Sequence, residues 1–309
     1  MATQAGTGPS PSAPTLDAPT PAPAPKTTKQ RRPLGGYLLM LPGTAWLALF
    51  FAVPLVTLLS TSLYDPSGSL ETGYAMTFAW SNYTDAWATY GDSFIRSMLY
   101  AGTATVLCML LGFPLAYAIA FKAGRWKNLM LVAVIAPFFT SFLVRTLSWQ
   151  LILADNGAVA SALRALHLLG EDGRLLATPV AVVAGLTYNF LPFMVLPLYA
   201  ALERLDGRLL EAGADLYAAP FTVFRTVTLP LAMPGLVAGT LLTFIPAAGD
   251  YVNDQLLGNP ETRMIGNVIQ SLFNGSSFPA AAALSVTLMA VIVVLVMVYI
   301  RRAGTEDLV

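Results

Sequence analysis

The chain has 309 residues, of which 56% are hydrophobic and 11% are charged, and its formal net charge at pH 7 is zero. Soluble domains carry about 25% charged residues, so this composition indicates an integral membrane protein. Without a basic excess, nucleic-acid binding through phosphate neutralisation is excluded.

The first 33 residues are rich in Pro, Ala, Thr and Ser and contain almost no large apolar side chains. Such a segment cannot bury enough surface to offset chain entropy, so we predict a disordered cytoplasmic tail over 1–33. A long uncharged stretch precedes the basic cluster of this tail, and the apolar run that follows is too long for a secretory signal peptide. That run is interpreted as a signal anchor.

Six apolar stretches follow, each close to the roughly 20 residues that carry a helix across about 30 Å of hydrocarbon. They cover residues 38–63, 98–121, 129–151, 180–200, 231–251 and 280–300. We therefore predict an all-α transmembrane domain of six helices over 34–302, followed by a short cytoplasmic tail over 303–309.

The distribution of Lys and Arg between alternate loops predicts the orientation, because cytoplasmic segments retain these residues. With both termini inside, four basic residues face outward: Arg96, Arg164, Arg174 and Arg263. Twelve face the cytoplasm: Lys26, Lys29, Arg31, Arg32, Lys122, Arg125, Lys127, Arg204, Arg208, Arg225, Arg301 and Arg302. Both termini are therefore expected to be cytoplasmic.

The loop after the first stretch is rich in aromatic residues, namely Phe78, Trp80, Tyr83, Trp87 and Tyr90. Such rings suit the boundary between membrane and water. We expect an interfacial helix in this loop.

A polar interval over about 201–230 separates the fourth stretch from the fifth. Helix-forming residues dominate it, and its apolar side chains stand beside Arg, Asp and Glu: Leu205, Leu209, Leu210, Leu216 and Phe221. This pattern predicts a short amphipathic helix that docks on a partner protein, and it fits a helix lying on the lipid surface equally well.

The Glu-Ala-Gly segment at 211–213 and the Leu-Pro pair at 229–230 resemble the EAA loop of type I ABC importer permeases. That family's pattern is Glu-Ala-Ala, three residues, Gly, and later an apolar residue with Pro. Tyr217 occupies the glycine position, and because Tyr tolerates positive φ poorly, we expect a turn of different shape. The resemblance assigns coupling to an ATPase subunit to Glu211, Ala212, Gly213, Asp215, Tyr217 and Pro230.

Four further segments resemble the spermidine/putrescine branch of these permeases: 137–146, 188–199, 249–258 and 265–269. The resemblance extends over 37–302. It implies a subunit of the bacterial plasma membrane that moves nothing alone. Its partners would be a second homologous permease, two ATP-binding subunits and an extracytoplasmic substrate-binding protein.

The sequence contains no G-x-x-x-x-G-K-[ST] phosphate loop, so a partner chain is expected to use the ATP. We expect this chain to bind no cofactor and no metal ion. It is not expected to be an enzyme, because the apolar stretches contain no paired catalytic groups.

Arg145 is the one basic residue inside a predicted helix, where a charge costs on the order of 3 kcal/mol. It is expected to face protein or water, although it lies near enough to the outer end for snorkelling. Two interpretations remain open for it: an ion pair or hydrogen bond that supports the structure, or a place in the translocation pathway.

Asp250 and Asp254 stand at helical spacing near the outer end of the fifth stretch, beside Tyr251. Carboxylates and an aromatic ring are suited to the ammonium groups of a polyamine. The alternative is that Asp250 pairs with Arg145 while Asp254 is solvated. Tyr188 and Asn189, in the fourth stretch, are open to a pathway-lining or a helix-packing role.

Two competing functions remain open. One is an ABC permease for another small solute, of the iron or phosphonate type. The other is a self-sufficient carrier driven by ions, for which Arg145 and Asp250 would be coupling groups.

Overall fold

A computed structural model describes residues 34–69, 71–170 and 173–303, together with Gly6 and Gly8. The predicted tails therefore lie outside the described residues, apart from those two glycines and Ala303. The basic cluster Lys26, Lys29, Arg31 and Arg32 also lies outside them. The chain divides into two compact units, Met1–Phe51 and Ala52–Val309.

Every regular element in the described part of the chain is helical, apart from two isolated bridges in the loop after the first span. The first unit contains α1 (Leu34–Leu47). The second contains α2 (Val53–Thr61), α3 (Ser81–Tyr117), α4 (Lys127–Ile135), α5 (Phe142–Leu153), α6 (Ala158–Ala165), α7 (Pro179–Glu203), α8 (Gly207–Asp215), α9 (Pro220–Val223), α10 (Leu229–Ala248), α11 (Val252–Leu257), α12 (Ile265–Asn274) and α13 (Phe278–Ala303).

Five helical segments are long and apolar enough to cross a membrane: Met40–Thr61, Ser81–Lys122, Pro179–Glu203, Pro220–Ala248 and Phe278–Arg302. A sixth span exists if the bent pair Gly124–Phe139 and Phe142–Ala165 is counted as one. The predicted all-α membrane fold is thereby confirmed.

The prediction of one continuous third helix over 129–151 is wrong. The helical axis turns by 96° between Phe139 and Phe142, and Thr140 has extended backbone, with φ −104° and ψ 151°. Pro137 lies in the first turn of the short 3-10 helix Ala136–Phe139 that precedes the break, and α4 ends at Ile135 because the proline nitrogen cannot donate a hydrogen bond to the turn before it.

Two other helix boundaries also differ from the prediction. The second span begins at Ser81 rather than near Met98, so the expected interfacial helix is the first part of α3. Charged side chains lower the hydropathy of this part without interrupting the helix. The fifth span ends at Ala248, so Asp250 and Tyr251 lie beyond its last residue.

The core is centred on α7, which packs against both α3 and α10. Glycines permit the close approach of α10: a Cβ on Gly235 would lie 2.5 Å from the Ala201 Cβ and 2.6 Å from the Pro197 carbonyl oxygen. A Cβ on Gly239 would lie 2.9 Å from the Met194 sulfur. Small residues at helix contacts are typical of membrane proteins, where close packing replaces the hydrophobic effect.

Candidate functional site

The interval between the fourth and fifth spans forms two helices joined by a tight turn. Helix α8 contains Glu211, Ala212 and Asp215, whose side chains are exposed, and α9 continues through a π-helical turn, Phe224–Thr228, into α10. Pro230 lies directly after the π-helical turn, inside the continuous helix Pro220–Ala248. The loop is therefore rigidly continuous with the fifth span.

Gly213 holds the two short helices together. A Cβ at this position would lie 2.9 Å from the Val223 Cγ2, so the alanine of the family pattern would force α8 away from α9. The departure from the Glu-Ala-Ala pattern therefore has a local steric cause.

Tyr217 ends this turn with left-handed backbone, at φ +55°. The left-handed conformation is retained despite the side chain, and the N–H of Ala218 donates to the Gly213 carbonyl at 3.2 Å, closing the end of α8. The Tyr217 ring is 98% exposed, and Leu216 and Phe221 beside it are 81% and 72% exposed. Three large apolar side chains thus project from the tip of the loop.

A single ion pair fixes the helix end that precedes this loop. The Lys127 Nζ lies 2.6 Å from the Glu203 Oε1, and the same ammonium lies 5.4 Å from the Tyr199 ring centroid. The start of α4 is thereby attached to the end of α7, close in sequence to α8.

A buried polar network joins α5, α7 and α11. The Asn189 Nδ2 donates to the Thr146 Oγ1 at 3.2 Å and to the Asn253 Oδ1 at 2.9 Å. The Asn253 Nδ2 then donates to the Asp250 Oδ1 at 3.1 Å. All four residues are buried, so each bond is shielded from water and orients the next.

The Asp250 carboxylate is held through one of its oxygens. The backbone N–H of Asn253 also donates to Oδ1, at 2.8 Å, whereas Oδ2 accepts no hydrogen bond within the described residues. Asp250 lies between the fifth and sixth spans, and burial raises the pKa of its carboxyl, against the effect of the Asn253 hydrogen bonds. One oxygen thus remains available to a cation.

Asp254 belongs to a different cluster. It is 3% exposed, its Oδ2 accepts from the backbone N–H of Met264 at 2.7 Å, and its Oδ1 lies 3.5 Å from the Thr262 Oγ1. Burial raises the pKa of this carboxyl as well. The alternative of a solvated Asp254 is therefore wrong, because the backbone of the following loop covers the carboxyl group.

Asp254 also borders a polar cavity of about 370 Å³ on the α11–α12 segment. Amide side chains are half of its lining residues, namely Gln255, Asn259, Asn267, Gln270 and Asn274. Although Asp250 and Asp254 stand at helical spacing, Asp250 accepts from Asn253 in the network, whereas Asp254 accepts from Met264 and borders this cavity.

Arg145 is 9% exposed, and its guanidinium carbon lies 5.2 Å from the Phe138 ring centroid and 5.7 Å from that of Phe142. No carboxylate in the described part of the chain lies within 4.0 Å of it. The alternative in which Asp250 pairs with Arg145 is therefore wrong, since Asp250 is turned toward Asn253.

Tyr188 and Tyr251 are both partly exposed, at 36% and 41%. The Tyr188 ring contacts Trp149, with centroids 5.3 Å apart, whereas Asn189 points into the buried network. Two members of that network, Thr146 and Asn253, were not singled out in the sequence. The three-residue spacing from Asp250 to Asn253 was the available signal for the second.

Among the residues that the structure describes, no group of three or more His, Cys, Asp or Glu side chains lies close enough to hold a metal ion.

A family model described as "Binding-protein-dependent transport system inner membrane component" matches residues 108–303. The chain is 38% identical to the spermidine/putrescine transport system permease protein PotB of Haemophilus influenzae, over 83% of this chain and 90% of that one. It is 36% identical to PotB of Escherichia coli K12, over 84% of this chain and 94% of that one.

A solved structure, the bacterial alginate ABC transporter in complex with alginate pentasaccharide-bound periplasmic protein, contains a similar chain. The match has a TM-score of 0.66 at 18% identity and covers 88% of this chain and 94% of that one. At 18% identity, this similarity shows a shared fold and nothing beyond it.

Proposed function

We propose, on the premise that this chain belongs to the binding-protein-dependent inner membrane component family, that it is the channel-forming permease subunit of an ATP-driven polyamine importer. The chain is a multi-pass protein of the bacterial inner membrane. The identity to two spermidine/putrescine permeases over more than four fifths of the chain is the observation that carries the substrate class. An iron or phosphonate substrate is not favoured by these relatives.

The coupling mechanism rests on the helix–turn–helix at 207–223. Its exposed tip carries Leu216, Tyr217 and Phe221, and an apolar patch of this kind suits insertion into a groove of an ATPase subunit. Because α9 passes without a break into α10, a push on the tip moves the fifth span. Glu211 and Asp215 present the polar side of the same docking surface, and the small side chain of Ala212 lies between them.

The substrate contact rests on Asp250. Its Oδ2, which accepts no hydrogen bond among the described residues, would accept a hydrogen bond from one ammonium group of the polyamine. The partly exposed Tyr251 ring next to it would provide a cation–π contact. The buried network through Asn253, Asn189 and Thr146 fixes the carboxylate in one orientation.

The remaining components lie on other chains. ATP is bound and hydrolysed by two partner subunits on the cytoplasmic side, a second homologous permease completes the channel, and an extracytoplasmic binding protein delivers the substrate. This arrangement requires both termini to be cytoplasmic, which agrees with the excess of Lys and Arg in alternate loops.

Reconstitution tests the proposal. Proteoliposomes containing this chain, the second permease and the ATPase are supplied with binding protein and labelled spermidine, with ATP inside. We expect uptake that requires both ATP and the binding protein. Uptake by this chain alone under an ion gradient would instead establish the secondary carrier.

A further inference from the structure

Among the residues that the structure describes, the guanidinium of Arg145 has no carboxylate within 4.0 Å to neutralise it. Its Nε and Nη1 atoms are buried and lack an acceptor among the described residues, although two aromatic rings flank the group. A buried charge without a partner is strongly unfavourable. We therefore expect the anion to come from outside the described residues.

The backbone at the break next to Arg145 also needs a partner from outside the described residues. Thr140 and Ser141 are exposed, extended and located at the middle of the third apolar stretch, and Ser141 makes no side-chain capping bond to α5. Irregular backbone at membrane depth is tolerated against protein or water, and not against lipid. This break is therefore covered by something other than lipid.

The charge at the break between α4 and α5 indicates what kind of surface covers this break. The N-terminus of α5 carries a partial positive charge, and Arg145, in the second turn, adds a full one. A polyamine would be repelled from this region, so it does not line the route of the substrate. A protein surface with a negative group fits the charge of the region, and of the proposed partners the second permease is the one embedded in the bilayer.

We infer that Arg145 and the break between α4 and α5 form a contact with the second permease subunit, which supplies a carboxylate to the guanidinium. The inference rests on the proposed function, since it requires a paired permease. It places Arg145 at the interface with the second permease subunit and not in the translocation pathway. Phe139, which is 86% exposed beside the break, is part of the same contact.

Co-purification of the assembled importer tests whether the charge of Arg145 is needed to bind the second permease. With Arg145→Gln, we expect the second permease recovered with this chain to fall at least tenfold, and with Arg145→Lys to fall less. Arg174→Gln is the matched control, because Arg174 is 72% exposed and its Nε lies 3.4 Å from the Asp155 carboxylate of the same chain. Equal recovery with Arg145→Gln and Arg174→Gln would overturn the inference.

Photo-crosslinking tests the surface without changing Arg145. With benzoylphenylalanine at position 139, we expect a product containing the second permease. A product containing lipid alone would refute the inference, even if Arg145→Gln failed to insert, because it would place lipid and not the second permease against the break. If the second permease does not co-purify with the unmodified chain at all, the proposed function fails. If the second permease does co-purify but neither test detects it at the α4–α5 break, this inference alone fails.

Discussion

At the scale of single residues, backbone strain at Tyr217 is separable from its side-chain contacts. Left-handed backbone costs a residue with a Cβ about 1–2 kcal/mol, and glycine escapes that cost. Because the Tyr217 ring is almost fully exposed, Tyr217→Gly loses little packing within the chain. We expect the turn to become about 1 kcal/mol more stable, so its amides should exchange with deuterium about fivefold more slowly.

Leu216→Gly is the control for this prediction, since Leu216 does not adopt positive φ and glycine there brings only added chain entropy. Faster exchange in Tyr217→Gly than in the unchanged chain would show that the left-handed backbone at this position is not strained.

Asn253 supports the Asp250 carboxylate, and removing its amide leaves two buried groups without their partner. Asn253→Ala removes both the bond from Asn189 and the side-chain bond to Asp250. We expect the free energy of unfolding to fall by about 1–3 kcal/mol, measured as a lower midpoint of thermal unfolding in detergent. Asn128→Ala, at an exposed position of α4, should leave the midpoint unchanged; equal effects of the two changes would contradict the network.

At the scale of helices, the contact between α7 and α10 depends on the absence of a side chain at Gly235. In Gly235→Ala the new methyl group meets the Ala201 Cβ and the backbone of Pro197, so the helices must separate. We expect a loss of about 1–3 kcal/mol from overpacking, measured by unfolding in detergent.

Gly102→Ala provides the comparison, because nothing lies within 4 Å of a Cβ at that position of α3. Alanine is the better helix former, so this change should be neutral or slightly stabilising. A Gly235→Ala protein as stable as Gly102→Ala would mean that the two helices are not closely packed.

Sequence patterns predicted most of the helices because apolar stretches of span length have few other stable solutions in lipid. They missed the break in the third stretch, since a hydropathy window cannot register a 96° turn of the helical axis between Phe139 and Phe142. They also did not show which neighbours hold each site carboxyl group. The helix ends at Ala248, and beyond it Asp250 accepts from Asn253 while Asp254 accepts from Met264.

At the scale of the whole molecule, the account requires the 207–223 segment to transmit force without contributing to insertion. Glu211 is exposed on α8, so Glu211→Ala should leave membrane insertion unchanged. Loss of a charged contact worth about 1.5–3 kcal/mol would reduce ATP-driven spermidine uptake about ten- to a hundredfold. Initial uptake rates in the reconstituted importer provide the measurement, with Glu261→Ala, an exposed carboxylate in the loop after α11, as the control.

Crosslinking from the tip of the 207–223 segment tests whether this segment docks on the ATP-binding subunit. Benzoylphenylalanine replaces Tyr217, whose ring is 98% exposed, in membranes that contain the complete importer, and the products are identified by mass spectrometry after irradiation. The account predicts a product that joins position 217 to the ATP-binding subunit. Products with lipid alone, obtained while the importer is assembled and active, would contradict it.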